Sequence, residues 1–348
     1  MTIAFYISGH GFGHASRSIE LIRALLERQP GLRVIVRTSA PRWLFDVAGL
    51  GIDYRAFDAD VGMAQRDAVT IDVDRTARQA AAFYGSFDRR VDDEAAFLKS
   101  ARVDLVLGDI PPLAHPAAAR AGLRSIAVSN FTWDWIYEGC ETFERDAPGV
   151  IQTIRDAYAL AERALRLPLH GGFATFKEIV DIPLIARPPG RRREETRDLL
   201  NIPGDRPFVL ASFGGYGLDI PYDEIARREQ LTILAPAAAL SPPLAYQDLV
   251  AAADVVLTKP GYGIISECVA NGTPMLYTSR GQFAEYDVFV AEMPRLLRCR
   301  FLPQDDLRAG RWRAHIDALL AQPAAPEHAR IDGADVAAEL ILTGTRPT

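Results

Sequence analysis

Apolar residues in this chain fall into short blocks, and between the blocks they recur at helical spacing. Residues 2–8 (TIAFYIS), 32–38, 53–57, 104–109 (DLVLGD), 125–129 and 165–169 read as strands, most of them buried on both faces. A second set follows at 208–212, 231–235, 255–257 and 275–277. Ile19, Ile22, Leu25 and Leu26 line one face of a helix over 15–28. Further helices are predicted over 41–48, 80–97, 113–121, 150–164, 246–253, 312–320 and 335–342. Strand alternating with helix predicts an α/β fold built on doubly wound parallel sheets. Residues 186–206 (ARPPGRRREETRDLLNIPGDR) are rich in Pro, Gly and charge, and read as a linker between two domains. Within them Arg191, Arg192 and Arg193 read as a solvated charge run. The stretch from Ser212 to Asp254 is short for such a domain, which suggests one missing element.

Composition adds limits rather than a function. A chain of 348 residues, 49% hydrophobic and 24% charged, has room for two soluble domains. A net charge of −6 argues against nucleic acid or an anionic membrane as the main partner. Cys140, Cys268 and Cys299 are too widely spaced for a metal site and read as reduced thiols of a cytoplasmic protein. The N-terminus lacks a signal-peptide pattern, and no run approaches transmembrane length.

Two glycine-rich turns carry the candidate chemistry. Residues 254–287 run DVVLTKPGYGIISECVANGTPMLYTSRGQFAEYD: strand, Gly loop, helix, strand. A helix opened by such a loop presents backbone N–H groups and a positive dipole end, which suit a phosphate. Glu267, one turn in, could hold a ribose diol; the residues alone equally allow an ordinary βαβ turn with a solvated glutamate. The other turn, Gly9-His10-Gly11-Phe12-Gly13-His14, lacks the acidic residue of a dinucleotide fingerprint, since Thr38-Ser39 stand where it belongs. His14 falls at a helix start, where the dipole favours a neutral imidazole. On the residues alone it reads as a structural hydrogen-bonding group. Asp109 ends a strand at the sheet edge where ligands sit in open α/β folds. The segment NFTWDWIY (130–137) is read as an aromatic acceptor-binding wall, with a capping loop of packed tryptophans as the alternative.

The donor-side stretch resembles the signature of GT-B glycosyltransferases, the group of the plant UDP-glycosyltransferases and the transferase of lipid II synthesis. The matching positions are Asp254, Gly261, Glu267, Gly272 and Pro274, followed by the acidic and amide stretch 282–287. The wording KPGYG and GHGFGHASR is shared with the glycosyltransferase-like domain that precedes the sugar kinase in plant arabinokinases. The resemblance spans nearly the whole chain. It implies two Rossmann-like domains facing a cleft: 1–185 on the acceptor side, 207–330 binding the nucleotide sugar, and 331–348 as a helix returning to the first domain. It implies His14 as catalytic base paired with Asp109. It implies a donor site of Gly214, Gly215, Lys259, Gly261, Gly263, Ser266, Glu267, Gln282 and Glu285, with Gly11, Gly13, Arg17 and Trp133 on the acceptor side of the cleft. Pro260-Gly261-Tyr262 replaces the HGG of many plant enzymes, so Lys259 stands in as the nearby positive charge. The tryptophan opening the plant motif has no counterpart, which leaves the base open, with uridine expected from the family.

The function implied is inverting, metal-independent transfer of a sugar from a nucleotide-diphosphate sugar to an unidentified hydroxyl acceptor, without a cofactor. One base and no carboxylate nucleophile imply a single displacement. Peripheral membrane contact is expected if the acceptor is a lipid. Two other readings stand: a nucleotide-sugar binding or sensing module that does not transfer, and a UDP-sugar epimerase, which needs further acidic residues in the cleft.

Overall fold

The computed structural model describes residues 1–348 apart from 67–69, 215–216, 236–243, 280, 282 and 345–348. Seven strands form the first sheet: β1 Thr2–Ile7, β2 Arg33–Thr38, β3 Asp53–Ala56, β4 Leu105–Asp109, β5 Arg124–Phe131, β6 Arg163–Gly171 and β7 Ile179–Asp181. All pair in parallel, in the order β3-β2-β1-β4-β5-β6-β7. Five more form the second: β8 Phe208–Ser212, β9 Thr232–Leu234, β10 Val255–Thr258, β11 Met275–Tyr277 and β12 Cys299–Phe301. These too are parallel, in the order β12-β11-β10-β8-β9. Both sheets are therefore doubly wound. In such sheets the strand order reverses at one point, and the crevice beyond the strand ends at that point is the place for a ligand. The reversals lie between β1 and β4, where Ile7 pairs with Asp109, and between β8 and β10, where Ser212 pairs with Thr258.

The sheets are buried because their strands are apolar throughout: Ile3, Phe5, Val34, Val36, Leu105 and Leu107 sit in one core with Ile19, Ile22 and Leu25 of the Phe12–Arg28 helix. The C-terminal helix Gly333–Thr343 packs against that same helix and is tied to it by Arg28 and Asp335 at 2.9 Å. The chain passes between the two sheets twice. The passes pair with each other, with Ile185 bridged to Asp332 and Leu184 N–H donating to Arg330 O at 3.1 Å.

Several elements differ from the expected ones. The helix expected over 80–97 is two, Val73–Tyr84 and Phe87–Ser100. Gly85 closes the first onto Ala81 O, and Ser86 O accepts the first bond of the second. The helix expected over 150–164 ends at Tyr158, because Arg163 already pairs with Ile126 as β6 begins. Two further strands, β7 and β12, are only three residues long. The stretch after residue 282, for which no element was expected, opens the helix Ala284–Leu296, with Phe289 and Met293 in the core. The segment 186–206 holds a helix, Arg193–Leu199. Arg193 is no solvated charge: it donates to Ala253 O at 2.8 Å and pairs with Asp254. Arg197 donates to Ala252 O at 2.8 Å, so the two side chains satisfy the open carbonyls where the Tyr246–Ala252 helix ends. Between β8 and β10 the structure has the helix Tyr222–Glu229, β9 and the helix Tyr246–Ala252, with 236–243 outside the described residues.

Candidate functional site

The first turn of the Phe12–Arg28 helix starts from Gly11, whose φ of 73° is a backbone conformation that glycine adopts without strain. That turn carries His14 over the end of β4, where Ser8 N–H donates to Asp109 O at 2.8 Å and ties the two strand ends together. His14 Nδ1 lies 2.8 Å from Asp109 Oδ1, although 95 positions separate them. One helical turn on, Arg17 and Ser18 reach the same carboxylate. Arg17 Nε donates to Oδ2 at 2.7 Å, Arg17 Nη2 donates to Oδ1, and Ser18 Oγ donates to Oδ2 at 3.0 Å. Both oxygens of Asp109 thus carry two donors each, which fills a carboxylate's acceptor sites. Asp109 is 1% exposed. Burial alone pushes its carboxyl up, but Arg17 and His14 together outweigh burial and hold it at about 2.

Arg17 continues the network. Its Nη1 donates to Asn130 Oδ1 at 2.6 Å, and Asn130 Nδ2 donates to Glu285 Oε1 at 2.7 Å. Glu285 stands in the first turn of the Ala284–Leu296 helix, which follows β11 in the chain and packs against β6. A chain of buried polar groups therefore runs from His14 across the cleft to a residue expected at the donor sugar. Arg17 itself is 4% exposed, with its guanidinium 5.0 Å from the Tyr262 ring centroid. Arg17, expected in the cleft, gives most of its donors to Asp109, Asn130 and Ser129.

Across the cleft, the Tyr262–Asn271 helix starts at Gly261 in extended backbone. A Cβ at Gly261 would meet nothing within 4 Å, and the same holds for Gly11 and Gly214. Gly13 and Gly263 touch: a Cβ on Gly263 would lie 3.3 Å from Gly13 Cα. Two helix starts therefore lie close together, and a helix start offers positive dipole and open N–H groups that suit an anion beside it. Glu267 is buried at 3% exposure. Its Oε1 accepts from Arg187 Nε at 2.6 Å, while Oε2 is buried without a hydrogen-bond partner. Burial pushes the Glu267 carboxyl up and Arg187 opposes the rise, leaving it above its ordinary value. Ser266 is buried, and its hydroxyl donates to Gly263 O at 2.9 Å within its own helix. Lys259 sits half-buried on the loop after β10. Gly214 is exposed; Gly215 and Gln282 lie outside the described residues.

Trp133 is a correction. It is fully buried at 0% exposure, with Nε1 donating to Asp60 Oδ2 at 2.8 Å, and packs between Phe131 and Tyr137. The NFTWDWIY segment ends β5 and forms the helix Trp133–Glu138, so its first tryptophan is core and offers no open face to a sugar. Asn130, Ser18, Arg187, Tyr262 and Asp60 were not anticipated. Arg17 and Ser18 had a readable signal, since positions three and four after His14 share its helix face. Arg187 had none. Among the described residues no cluster of His, Cys, Asp and Glu could hold a metal ion, and no helix is long and apolar enough to cross a membrane.

No family model matches the chain. It is 28% identical over 360 residues to L-arabinokinase of Arabidopsis thaliana, covering 98% of this chain but 34% of that protein, so it spans about a third of that relative's length. Among solved structures it is similar to the glycotransferase of kitacinnamycin, with a TM-score of 0.64 at 20% identity over 98% of both chains. It is also similar to CalG4, the calicheamicin glycosyltransferase, with a TM-score of 0.59 at 16% identity over 97% of this chain and 94% of that one. A putative UDP-N-acetylglucosamine 2-epimerase from Listeria monocytogenes has a TM-score of 0.58 at 13% identity, over 100% and 98%. The fold is GT-B, two doubly wound α/β halves facing a cleft.

Proposed function

We propose that this GT-B chain is an inverting glycosyltransferase that moves a sugar from a nucleotide-diphosphate sugar, with uridine the expected base, to a hydroxyl of an acceptor. The observation that carries the reading is the His14 Nδ1 to Asp109 Oδ1 distance of 2.8 Å, where the two helix starts lie close together.

With Nδ1–H donating to Asp109, Nε2 of His14 accepts the proton of the acceptor hydroxyl. The acceptor oxygen forms its bond to the anomeric carbon as the bond from that carbon to the diphosphate oxygen breaks. A single displacement inverts that carbon. Charge gathers on the departing diphosphate, and the N–H groups at the start of the Tyr262–Asn271 helix are set to receive it. Oε2 of Glu267 is left to accept from a ribose hydroxyl, and Glu285 to accept from the sugar once Asn130 yields its place. No step calls for a metal ion.

A second reading, binding without transfer, is favoured by one observation. Asp109 is saturated by four donors, and Arg17 neutralises the charge that would stabilise an imidazolium. Incubation with UDP-glucose and UDP-N-acetylglucosamine in EDTA, with and without a small-molecule extract as acceptor source, separates them. Release of UDP with an acceptor-dependent product supports transfer. Saturable binding of UDP without any release supports the second reading, and an epimerised sugar without acceptor would point to epimerase chemistry instead.

A further inference from the structure

Among the inward-facing acids of this chain, Glu94 holds Arg37, Asp109 holds Arg17 and Glu267 holds Arg187. Asp60 differs. It is half-buried on the loop after β3, and among the described residues no lysine or arginine pairs with it. Its donors are neutral: Trp133 Nε1 donates to Oδ2 at 2.8 Å, and the Ser8 hydroxyl supplies the other hydrogen bond. A carboxylate has about four acceptor sites, so about half of them stand open. Burial pushes the Asp60 carboxyl above its ordinary value, against the pull of Ser8, Trp133 and His14. A charge kept in such a place without a counter-ion is costly unless a ligand completes its donors.

The fold sets this group beside the base. Residues 57–66 lie across the 9–14 turn: Met63 N–H donates to His10 Nδ1 at 3.2 Å, and a Cβ on Gly62 would fall 2.8 Å from His10 Cβ. Tyr137 pins the loop by donating its hydroxyl to Gly62 O at 2.9 Å. Two rings then connect Asp60 to His14. Trp133 meets Phe131 edge to face at 4.9 Å, and Phe131 meets the His14 ring in the same way at 5.4 Å. Ser8 makes a second connection, because its hydroxyl serves Asp60 while its N–H donates to the Asp109 carbonyl. Trp133 is fully buried, so its indole fixes where the Asp60 oxygens stand.

We propose that Asp60 is a specificity-determining residue on the acceptor side of the cleft, accepting from a hydroxyl next to the one that His14 deprotonates, so that the acceptor is a polyol: a sugar, a sugar alcohol or a glycoside. The inference rests on the reading of His14 as the base and adds the chemical class of the acceptor. A phenol or a simple alcohol brings one hydroxyl, which the base takes, and leaves the open oxygen sites unanswered. An ammonium group would answer them, but it adds a positive charge where Arg17 already lies 2.9 Å from a ring that becomes a cation on taking the proton.

The test reads binding before turnover. The full chain, saturated with UDP, is screened by saturation-transfer NMR against hexoses, pentoses, sugar alcohols and methyl glycosides, and against phenol, cyclohexanol and ethanolamine. Members of the first group should bind, and those of the second should not. Asp60→Asn keeps the shape of the side chain and an oxygen for Trp133. It should weaken polyol binding about tenfold or more, with UDP affinity and melting temperature unchanged. Monodeoxy forms of the sugar that binds give the same reading on wild-type protein, where loss of one particular hydroxyl should cost a similar factor; this decides even if Asp60→Asn fails to fold. Equal polyol binding by folded Asp60→Asn, no polyol bound by the wild type, or a preference for phenol, cyclohexanol or ethanolamine overturns the inference. A chain that binds polyols through Asp60 yet never releases UDP from a UDP-sugar loses the transfer reading and keeps this one. A chain that transfers sugar to phenol in preference to polyols keeps the transfer reading and loses this one.

Discussion

Glu267→Gln separates ribose recognition from mere folding, because the amide keeps the shape of the side chain. In the structure one carboxylate oxygen is engaged by Arg187 and the other is buried without a partner. The amide oxygen can still accept from Arg187, whose side chain is partly solvated, so the variant should fold. It loses the ionised acceptor for the ribose. A hydrogen bond to a charged group is worth about 1.5–3 kcal/mol, which corresponds to roughly a 10- to 150-fold rise in the Kd for UDP. Calorimetric titration with UDP and with its 2′,3′-dideoxy analogue measures this directly. The wild-type protein should prefer UDP by a similar factor, and Glu267→Gln should barely distinguish the two ligands, as a double-mutant cycle requires of groups in contact. The raised carboxyl also gives a direction: UDP affinity in the wild type should weaken as pH falls into the range where Glu267 takes up its proton, and the variant should lack that fall. Equal UDP affinity in the two proteins, or undiminished preference for the ribose diol in the variant, would refute the placement of the nucleotide at Glu267.

Four further outcomes are expected. His14→Ala should lower the turnover of UDP-sugar by about 10²–10⁴-fold with little change in UDP affinity, and adding Asp109→Asn should cost little more, as kinetics on both variants would show. Gly261→Val should melt near the wild-type temperature, since a side chain there meets open space, yet lose UDP binding in a thermal-shift titration. Trp133→Ala should cost about 3–5 kcal/mol in denaturant unfolding, the loss of a fully buried indole, so a variant as stable as wild type would return Trp133 to the cleft surface. The stabilisation from Asp109, whose carboxyl is depressed from 3.8 to about 2, is fully present above the ordinary value and is lost as pH falls through the depressed one. About 2 kcal/mol of acid-labile stability should therefore vanish from the pH profile of Asp109→Asn.

Where apolar period and turn chemistry agree, as at residues 2–8 and 255–272, the elements form nearly as the residue pattern predicts, because both neighbours in the sheet and both faces are apolar. Asp109 was readable as a strand-end group and His14 as a helix-start group, but the network beyond them was not. Asn130 looks like one polar residue in an aromatic run until β5 carries it 2.7 Å from Glu285, 155 positions away. Trp133 was misread because Thr132 and Asp134 make its surroundings polar in the sequence, whereas the fold turns the indole inward against Phe131 and Tyr137. Arg187 lies in a stretch whose Pro and Arg content speaks of solvent, and only the return of the chain toward Glu267 shows otherwise. Local pattern encodes which residues are buried within an element; it is silent on charges that meet across two sheets.

The two chain passes joined at Ile185 and Asp332 act as the spine of a book. Each half is bound to the other there by covalent chain and by backbone hydrogen bonds on both sides of the crease. Parting the covers at Gly13 and Gly263 therefore amounts to turning about that spine, with the short contact between the two glycines at the free margin. Tyr262 joins margin to spine: its ring lies over Arg17, and its hydroxyl is held by the N–H of Ile185 in the crease itself. A displacement of the Tyr262 turn would pull on the crease as well as on the page edge, because one side chain touches both.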